Sequence, residues 1–255
     1  MGTKGKESPM DVSVRTFRPE DLKQVQRLYQ QTRFYGAGSP TRLAFSRFLL
    51  SPTAYVLYAC FFMGTCIFLR SPPGYLRYFG ATVSVLSGVA IWSIAFPIGM
   101  FIFFGLRALL RGDMKDVATH YRLTEAQRGV RGASSFWVAE VETPAGKKIV
   151  GSVGLDHFSN DDTTKAELRR MFVSPDFRGH GIAKKLMNAL LDHAREQGLE
   201  EVYLQTTGLN DKAVIMYQKT GWELVKKHVW RRLLLEGEGY DFCWRLDREE
   251  KRNSS

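Results

Sequence analysis

In the stretch RGHGIAKK (178–185), two glycines a residue apart, Gly179 and Gly181, stand directly before two lysines and a long amphipathic segment. Bare backbone at the front of a helix turns unpaired amides outward, and such a terminus binds anions, phosphates above all. The candidate donors are the amides of Gly179, His180, Gly181, Ile182 and Ala183. Gly181 is the key position, because a side chain there would obstruct a close approach of backbone to ligand. Arg178, Lys184 and Lys185 add positive charge, although the two lysines read equally well as solvated helix residues. Taken alone, a glycine-rich turn from strand to helix is often only a turn.

The elements around this loop are legible from periodicity. DVSVRTFR (11–18) alternates as a strand, and PEDLKQVQRLYQQT (19–32) begins with Pro at the first helical position and carries acids in its first turn. DMKDVATHY (113–121) reads as a short helix. SSFWVAEVE and KKIVGSVGLDHF form two strands around a turn signal at TPAG (143–146), and KAELRRMFV (165–173) is a further strand. The helix 182–198 presents Leu186, Leu190, Leu191 and Ala194 on one face and stops at Gly198. A strand at 201–207, a helix at 210–221 and strands at 222–230 and 240–246 complete the chain. The expected architecture is α/β, an α+β mixed sheet. The polar ends, 1–10 and 247–255, are expected to be disordered.

Two uncharged runs interrupt this pattern. No charged residue lies between Arg47 and Arg70, and a second uncharged run covers 78–106 with Pro97 inside it. Each is long enough to span a bilayer, which takes roughly 20 apolar residues, and neither shows a continuous polar face. The link RSPPGYLR (70–77) favours a tight reversal, so 48–106 is expected to be an antiparallel membrane hairpin in contact with lipid. Pro97 is expected to kink the second run or end its straight part. Arg42 and Arg47 before the pair, and Arg107, Arg111 and Lys115 after it, place both ends on the cytosolic side. The sheet-forming domain is then divided into 11–47 and 107–246.

Composition narrows the classes. The chain of 255 residues has a net charge of +10, which suits nucleic acid, a membrane surface or an anionic ligand. Beyond charge nothing supports nucleic acid, so none is expected as a partner. Cys60 and Cys66 are about 9 Å apart along a helix, too far to bridge, and Cys243 sits elsewhere in an apolar segment. All three read as reduced thiols. No cluster has metal-ligand spacing, so no metal is expected. The first ten residues hold no apolar core for a cleavable signal peptide, and Lys6 stands where a myristoylation site wants Ser or Thr.

The loop and its sequel carry a resemblance. LRRMFVSPDFRGHGIAKKLM (168–187), followed by Asn210, Ala213, Tyr217, Gly221 and Trp222 at the spacing N-x-x-A-x-x-x-Y-x-x-x-G-W, resembles the Gcn5-related N-acetyltransferase superfamily. Its loop pattern, Arg/Gln-x-x-Gly-x-Gly/Ala, is matched by Arg178, Gly181 and Ala183. The apolar pair after the first strand and helix, and GASSFWVAEV (132–141), are similar to the camello-like membrane acetyltransferases. The resemblance covers about 11–246 and implies acetyl-coenzyme A as donor, a GNAT fold interrupted by the membrane hairpin, and an endoplasmic reticulum membrane with the catalytic domain on the cytosolic face.

It also implies roles. An amine attacks the thioester directly, which needs a base for the ammonium and an acid for the departing thiolate. Tyr217 matches the acid. Asn210 matches a residue that helps hold the donor, or it simply caps its helix. Main-chain groups of Met171 and Val173 match those that pair with the pantetheine arm. The base is Glu167, on the strand before the loop, or His157 on the preceding strand. Strand alternation places Glu167 on one face with Arg169, Met171 and Val173. A small amino-acid-type acceptor, aspartate-like or a cysteine S-conjugate, would use Arg169 or Arg170 for its carboxylate, and a conjugate would also want an apolar cleft, from the membrane pair or from Phe136, Phe158 and Trp222. A protein lysine is the second acceptor class. A membrane scaffold that retains the fold without turnover is a third reading.

Overall fold

β1 (Val12–Thr16) finds its partner across the whole helical insert, lying antiparallel to β2 (Ser135–Thr143) with Val14 opposite Ala139. The sheet continues through β3 (Gly146–Asp156), β4 (Lys165–Val173), β5 (Glu201–Thr207), β6 (Glu223–Arg232) and β7 (Leu235–Arg245), in the spatial order β1-β2-β3-β4-β5-β7-β6. Its neighbours are antiparallel except β4 and β5, which run parallel. The expected mixed sheet is therefore present, and both ends of the insert feed one sheet. The computed structural model describes residues 11–35, 39–123, 133–144, 146–157, 162–232 and 235–246. The two polar ends and Phe158 lie outside the described residues.

Each face of the sheet carries its own core. α6 (Ile182–Glu196) packs Leu186, Leu190, Leu191 and Ala194 onto Val150, Val153 and Leu168, with α7 (Asp211–Lys219) adding Val214 and Tyr217. On the other face α1 (Leu22–Gln30) packs Val25, Leu28 and Tyr29 together with Met114, Val117, Tyr121 and Phe136. Burying such side chains contributes roughly 1.5–3 kcal/mol each. At the β1 edge Arg15 donates to both Asp21, at 2.7 Å, and Glu140, at 2.8 Å, which ties the first strand to the start of α1.

The insert is helical beyond the uncharged window. α2 (Pro40–Leu49), α3 (Pro52–Arg70) and α4 (Tyr75–Arg111) follow one another. Ser51 begins α3 by accepting the Ala54 N–H at 3.1 Å, with Pro52 in the first position. Among the described residues α3 is the single helix long and apolar enough to cross a membrane, with a mean hydropathy of 1.6. A two-span hairpin is thus not what length and hydropathy establish here. α4 turns back along α3: Arg77 lies over the Phe68 ring, Thr65 meets Ser84 at 2.9 Å, and Ala54 packs with Ile91 and Ala95. The two backbones touch at Gly64 and Gly80, where an added Cβ would stand 2.8 Å and 2.7 Å from backbone atoms of the facing helix.

Pro97 does not end α4, which continues as helix to Arg111. Its 37 residues make a rod of about 55 Å, and the far half leaves α3 and docks on the sheet domain. There Tyr29 donates its hydroxyl to the Gly105 carbonyl at 3.1 Å, and Leu109 enters the α1-side core. α5 (Val117–His120), capped by Asp116, follows at once. The chain leaving the apolar helix is thereby laid across β3 and β4.

Candidate functional site

β4 and β5 register at only three positions, Lys165–Glu201, Ala166–Val202 and Glu167–Tyr203. Beyond Glu167 the strands part, so the remaining length of β4, paired with β3 on one edge, has no β5 partner on the other. Backbone donors and acceptors demand partners, and an extended ligand inserted here would supply them. α2 reaches the turn Gly208–Asn210 at the far end of the gap.

The glycine loop stands before this gap at the head of α6. Gly179 has φ +87° and Gly181, at the N-cap position, φ +73°. Both are left-handed conformations that cost an L side chain about 1–2 kcal/mol, so the sequence needs glycine for its torsion. Among the described residues no atom lies within 4 Å of where a Cβ would stand at either position. A side chain would project into open space ahead of the helix terminus, where an anion would be held. Gly179, His180 and Gly181 are exposed, Ala183 is half-buried, and the Ile182 side chain anchors the turn in the core. Arg178 folds back, its Nε donating to the Val173 carbonyl at 3.3 Å, and burial pushes its guanidinium down. His180 Nδ1 lies 3.3 Å from the Phe177 carbonyl, and Lys185 donates to the Val12 carbonyl at 3.0 Å.

Strict alternation fails in the middle of β4. Ser152 pairs with Phe172 but Gly154 pairs with Arg169, so one residue of β3 faces two of β4, a bulge. Arg170 takes φ +56°, unusual for a side chain with a Cβ, and Ser152 Oγ donates to its carbonyl at 3.1 Å. Met171 and Val173 consequently turn to the α6-side core, while Phe172 turns to the α1 side. Glu167 and Arg169 do not share a face with Met171 and Val173, contrary to the alternation reading. Phe136 and Trp222 likewise belong to opposite cores and line no common cleft.

Both arginines proposed for an acceptor carboxylate are already engaged. Arg170 meets Asp113, two residues past α4, through Nε–Oδ2 at 2.6 Å and Nη2–Oδ1 at 2.7 Å, and lies over the Tyr29 ring. Burial is the largest influence and opposes this charge, but the Asp113 hydrogen bonds and the Asp113 charge together outweigh it, holding the guanidinium above its ordinary value. Arg169 bridges Glu167, at 2.6 Å, and Asp156, at 2.8 Å, which stand opposite one another in the β3–β4 register. His120, from α5, reaches the same Asp156 Oδ2 at 3.3 Å. Tyr203 completes the cluster from β5; burial first, and then the Glu167 and Asp156 charges, push its phenol up, with Arg169 opposing. Two carboxylates, one guanidinium and an imidazole thus meet where β4 and β5 part.

His157 lies elsewhere. Its N–H donates to Ser134 Oγ at 2.9 Å and its Nε2 to the Thr163 carbonyl at 2.8 Å. The neighbouring Asp156 was not singled out from sequence, nor were Asp113 and His120; their partners lie far away along the chain. Tyr217 is on the α6-side face, buried against Trp222 and Phe242 with ring centroids 5.7 Å and 5.8 Å away, and burial pushes its phenol well up. Asn210 precedes α7 but makes no side-chain cap, and its side chain is exposed. The capping alternative therefore does not describe it.

A parallel strand pair that parts beside a glycine-lined helix terminus offers free backbone and an anion-binding end to one extended ligand, and the comparisons name the family that shares the fold. The Acetyltransferase (GNAT) family matches residues 105–222. N-acetyltransferase 8B of Homo sapiens is 39% identical over 132 residues, 49% of this chain and 52% of that protein. N-acetyltransferase 8B of Mus musculus is 30% identical over 176 residues, 64% of this chain and 73% of that protein. A Xenopus tropicalis protein named "Probable N-acetyltransferase camello" is 27% identical over 216 residues, 84% of this chain and 86% of its own length. The chain spans about half the length of the human relative it matches. It belongs to the GNAT acetyltransferase family, with the camello-like N-acetyltransferases among its relatives.

Proposed function

We propose that this protein is a membrane-anchored N-acetyltransferase that moves acetyl from acetyl-coenzyme A to an amine. The observation that carries the reading is the β4–β5 gap with the open left-handed glycines at its mouth. The amides of Gly179, His180, Gly181, Ile182 and Ala183 would hold the pyrophosphate, with Arg178 beside them. Met171 and Val173 would offer backbone to the pantetheine arm, although the Val173 carbonyl already accepts Arg178. Asn210, exposed at the head of α7 with no cap made by its side chain, would meet the donor from the β5 side.

Acetyl-coenzyme A supplies the thioester, the acceptor nitrogen takes the acetyl group as an amide, and the thiol leaves. Tyr217, kept protonated by burial, would give the departing sulfur its proton from the α6-side face. The acceptor would enter from the opposite face, where Glu167 and Asp156 outnumber the single guanidinium of Arg169 and favour an ammonium over an anion. With Arg169 and Arg170 both engaged, a dicarboxylic acceptor finds no ready cations. Among small amino-acid acceptors this favours a cysteine S-conjugate over an aspartate-like one. A protein lysine is the second reading, supported by the net negative charge of the cluster.

α3 and the apolar side chains exposed along both α3 and α4, among them Phe62, Leu69, Val85 and Trp92, support anchoring through 48–106. The flanking charges and the cytosolic supply of acetyl-coenzyme A support a catalytic domain on the cytosolic face, and the likeness to camello-like acetyltransferases supports an endoplasmic reticulum membrane. Coenzyme A release by the detergent-solubilised protein tests the reading against S-benzyl cysteine, aspartate and a lysine peptide. Turnover with S-benzyl cysteine above aspartate is expected. Donor binding with no turnover on any amine would favour a scaffold and contradict it.

A further inference from the structure

The acceptor-side cluster holds one group with both the chemistry and the freedom to take a proton. Glu167, the obvious base by position, has its carboxylate held by Arg169 through Nε at 2.6 Å and Nη2 at 2.5 Å. His157 is turned to Thr163. His120 differs from both. Its Nε2 lies 3.3 Å from Asp156 Oδ2, an oxygen that Arg169 also holds at 2.8 Å, on a side chain that is 2% exposed. Its own side chain is 35% exposed, and among the described residues Nδ1 has no hydrogen-bond partner.

A carboxylate accepts only, so Nε2 carries the hydrogen in this contact and the lone pair of a neutral ring sits on Nδ1. The ring is braced edge-on against Tyr121, with centroids 4.9 Å apart, and Tyr121 in turn donates to Asp113 at 3.3 Å. Base, orienting carboxylate and fixed ring are the arrangement that activates a nucleophile elsewhere in enzymology. We propose that His120, oriented by Asp156, is the base that deprotonates the acceptor ammonium. This rests on the transferase reading above and names the residue that reading leaves open.

The protons balance. The ammonium gives its first proton to His120 Nδ1, from which it passes to water. The nitrogen–carbon bond then forms as the carbon–sulfur bond breaks. The second nitrogen proton leaves to solvent, while Tyr217 supplies the sulfur and is reprotonated, so one amide, one thiol and one released proton result. Around His120, Asp156 from β3 and the Tyr121 ring touch it directly, and Asp156 in turn joins Arg169 and Glu167 from β4 and Tyr203 from β5. His120 also explains why the chain past α4 is held so firmly: the segment from Asp113 to Tyr121 positions the base.

The test uses the full-length protein in detergent, with S-benzyl cysteine as acceptor. His120→Gln keeps a side-chain N–H for Asp156 but cannot take a proton; His120→Gly leaves room for added imidazole. The expected result for His120→Gln is a kcat lowered on the order of 10²-fold or more, with coenzyme A binding unchanged. His120→Gly should lose turnover similarly and recover with a rate that rises with imidazole concentration. Turnover of His120→Gln within about threefold of the unaltered protein overturns the assignment while leaving the transferase reading intact. Loss without imidazole recovery, with Glu167→Gln abolishing turnover equally, overturns it in favour of Glu167. An unaltered protein that binds coenzyme A and acetylates nothing refutes the transferase reading and this inference with it.

Discussion

Arg170 is held in a left-handed conformation by contacts drawn from three elements, and that makes it the most exposing place to perturb. Asp113→Asn removes one charge of a bidentate pair whose side chains are 4% and 21% exposed. It leaves a buried guanidinium facing an amide, which costs about 3–5 kcal/mol. Arg170→Gln leaves Asp113 with Tyr121 at 3.3 Å as its remaining partner, a loss of similar size. The double variant should cost less than the sum, with a coupling of about 1–3 kcal/mol. A third substitution separates charge from backbone. Arg170→Gly loses the same ion pair but relieves φ +56°, so it should be less damaging than Arg170→Gln by about 1–2 kcal/mol. Denaturant unfolding in mild detergent, followed by tryptophan fluorescence, reads all four proteins. Additive single effects, or singles below about 1 kcal/mol, would refute the clamp as the device that sets the β4 bulge.

Gly181→Ala should leave the fold intact but raise the Kd for coenzyme A by about tenfold or more, since it strains φ +73° and fills the space before α6; calorimetric titration checks this. Tyr217→Phe should lower kcat on the order of 10²-fold with little change in donor KM, measured by thiol release. Because burial holds the Tyr217 phenol above its ordinary 10.0, the stability linked to it is complete below pH 10 and falls as pH rises further. The Phe variant should show a shallower alkaline loss in unfolding scans. Gly64→Leu or Gly80→Leu would drive a side chain into facing backbone and part α3 from α4; a disulfide engineered between positions 65 and 84 should form readily in the unaltered helix pair and poorly in either variant.

Much of the fold was legible because its signals are local. β4 and β5 were bounded in sequence as Lys165–Val173 and Glu201–Thr207, since apolar runs between turn residues leave few alternatives. The loop before α6 was legible for the same reason, as glycine is the residue that tolerates the required torsions. The β4 bulge was not. Nothing in LRRMF announces it, because Arg170 has no turn chemistry and owes its conformation to Asp113, 57 residues away, and to Ser152. Strict alternation therefore misassigned the faces of Met171 and Val173. His120 was hidden similarly: DMKDVATHY reads as an ordinary short helix, and only the packing of α4 onto the sheet brings it to Asp156. At Pro97 the helix runs on to Arg111, since a long helix can accommodate an internal proline by bending.

Hydrogen exchange on the full-length protein with and without coenzyme A tests the placement of the donor most directly. Binding is expected to slow exchange at the amides of Leu168–Val173, on the β4 edge that β5 leaves uncovered, and at Gly179–Lys184 ahead of α6. The far edge of the sheet, around Arg15 and Glu140, should be unchanged. Protection confined to other segments, or none in β4 and the loop at saturating ligand, would contradict a donor site between the parted strands.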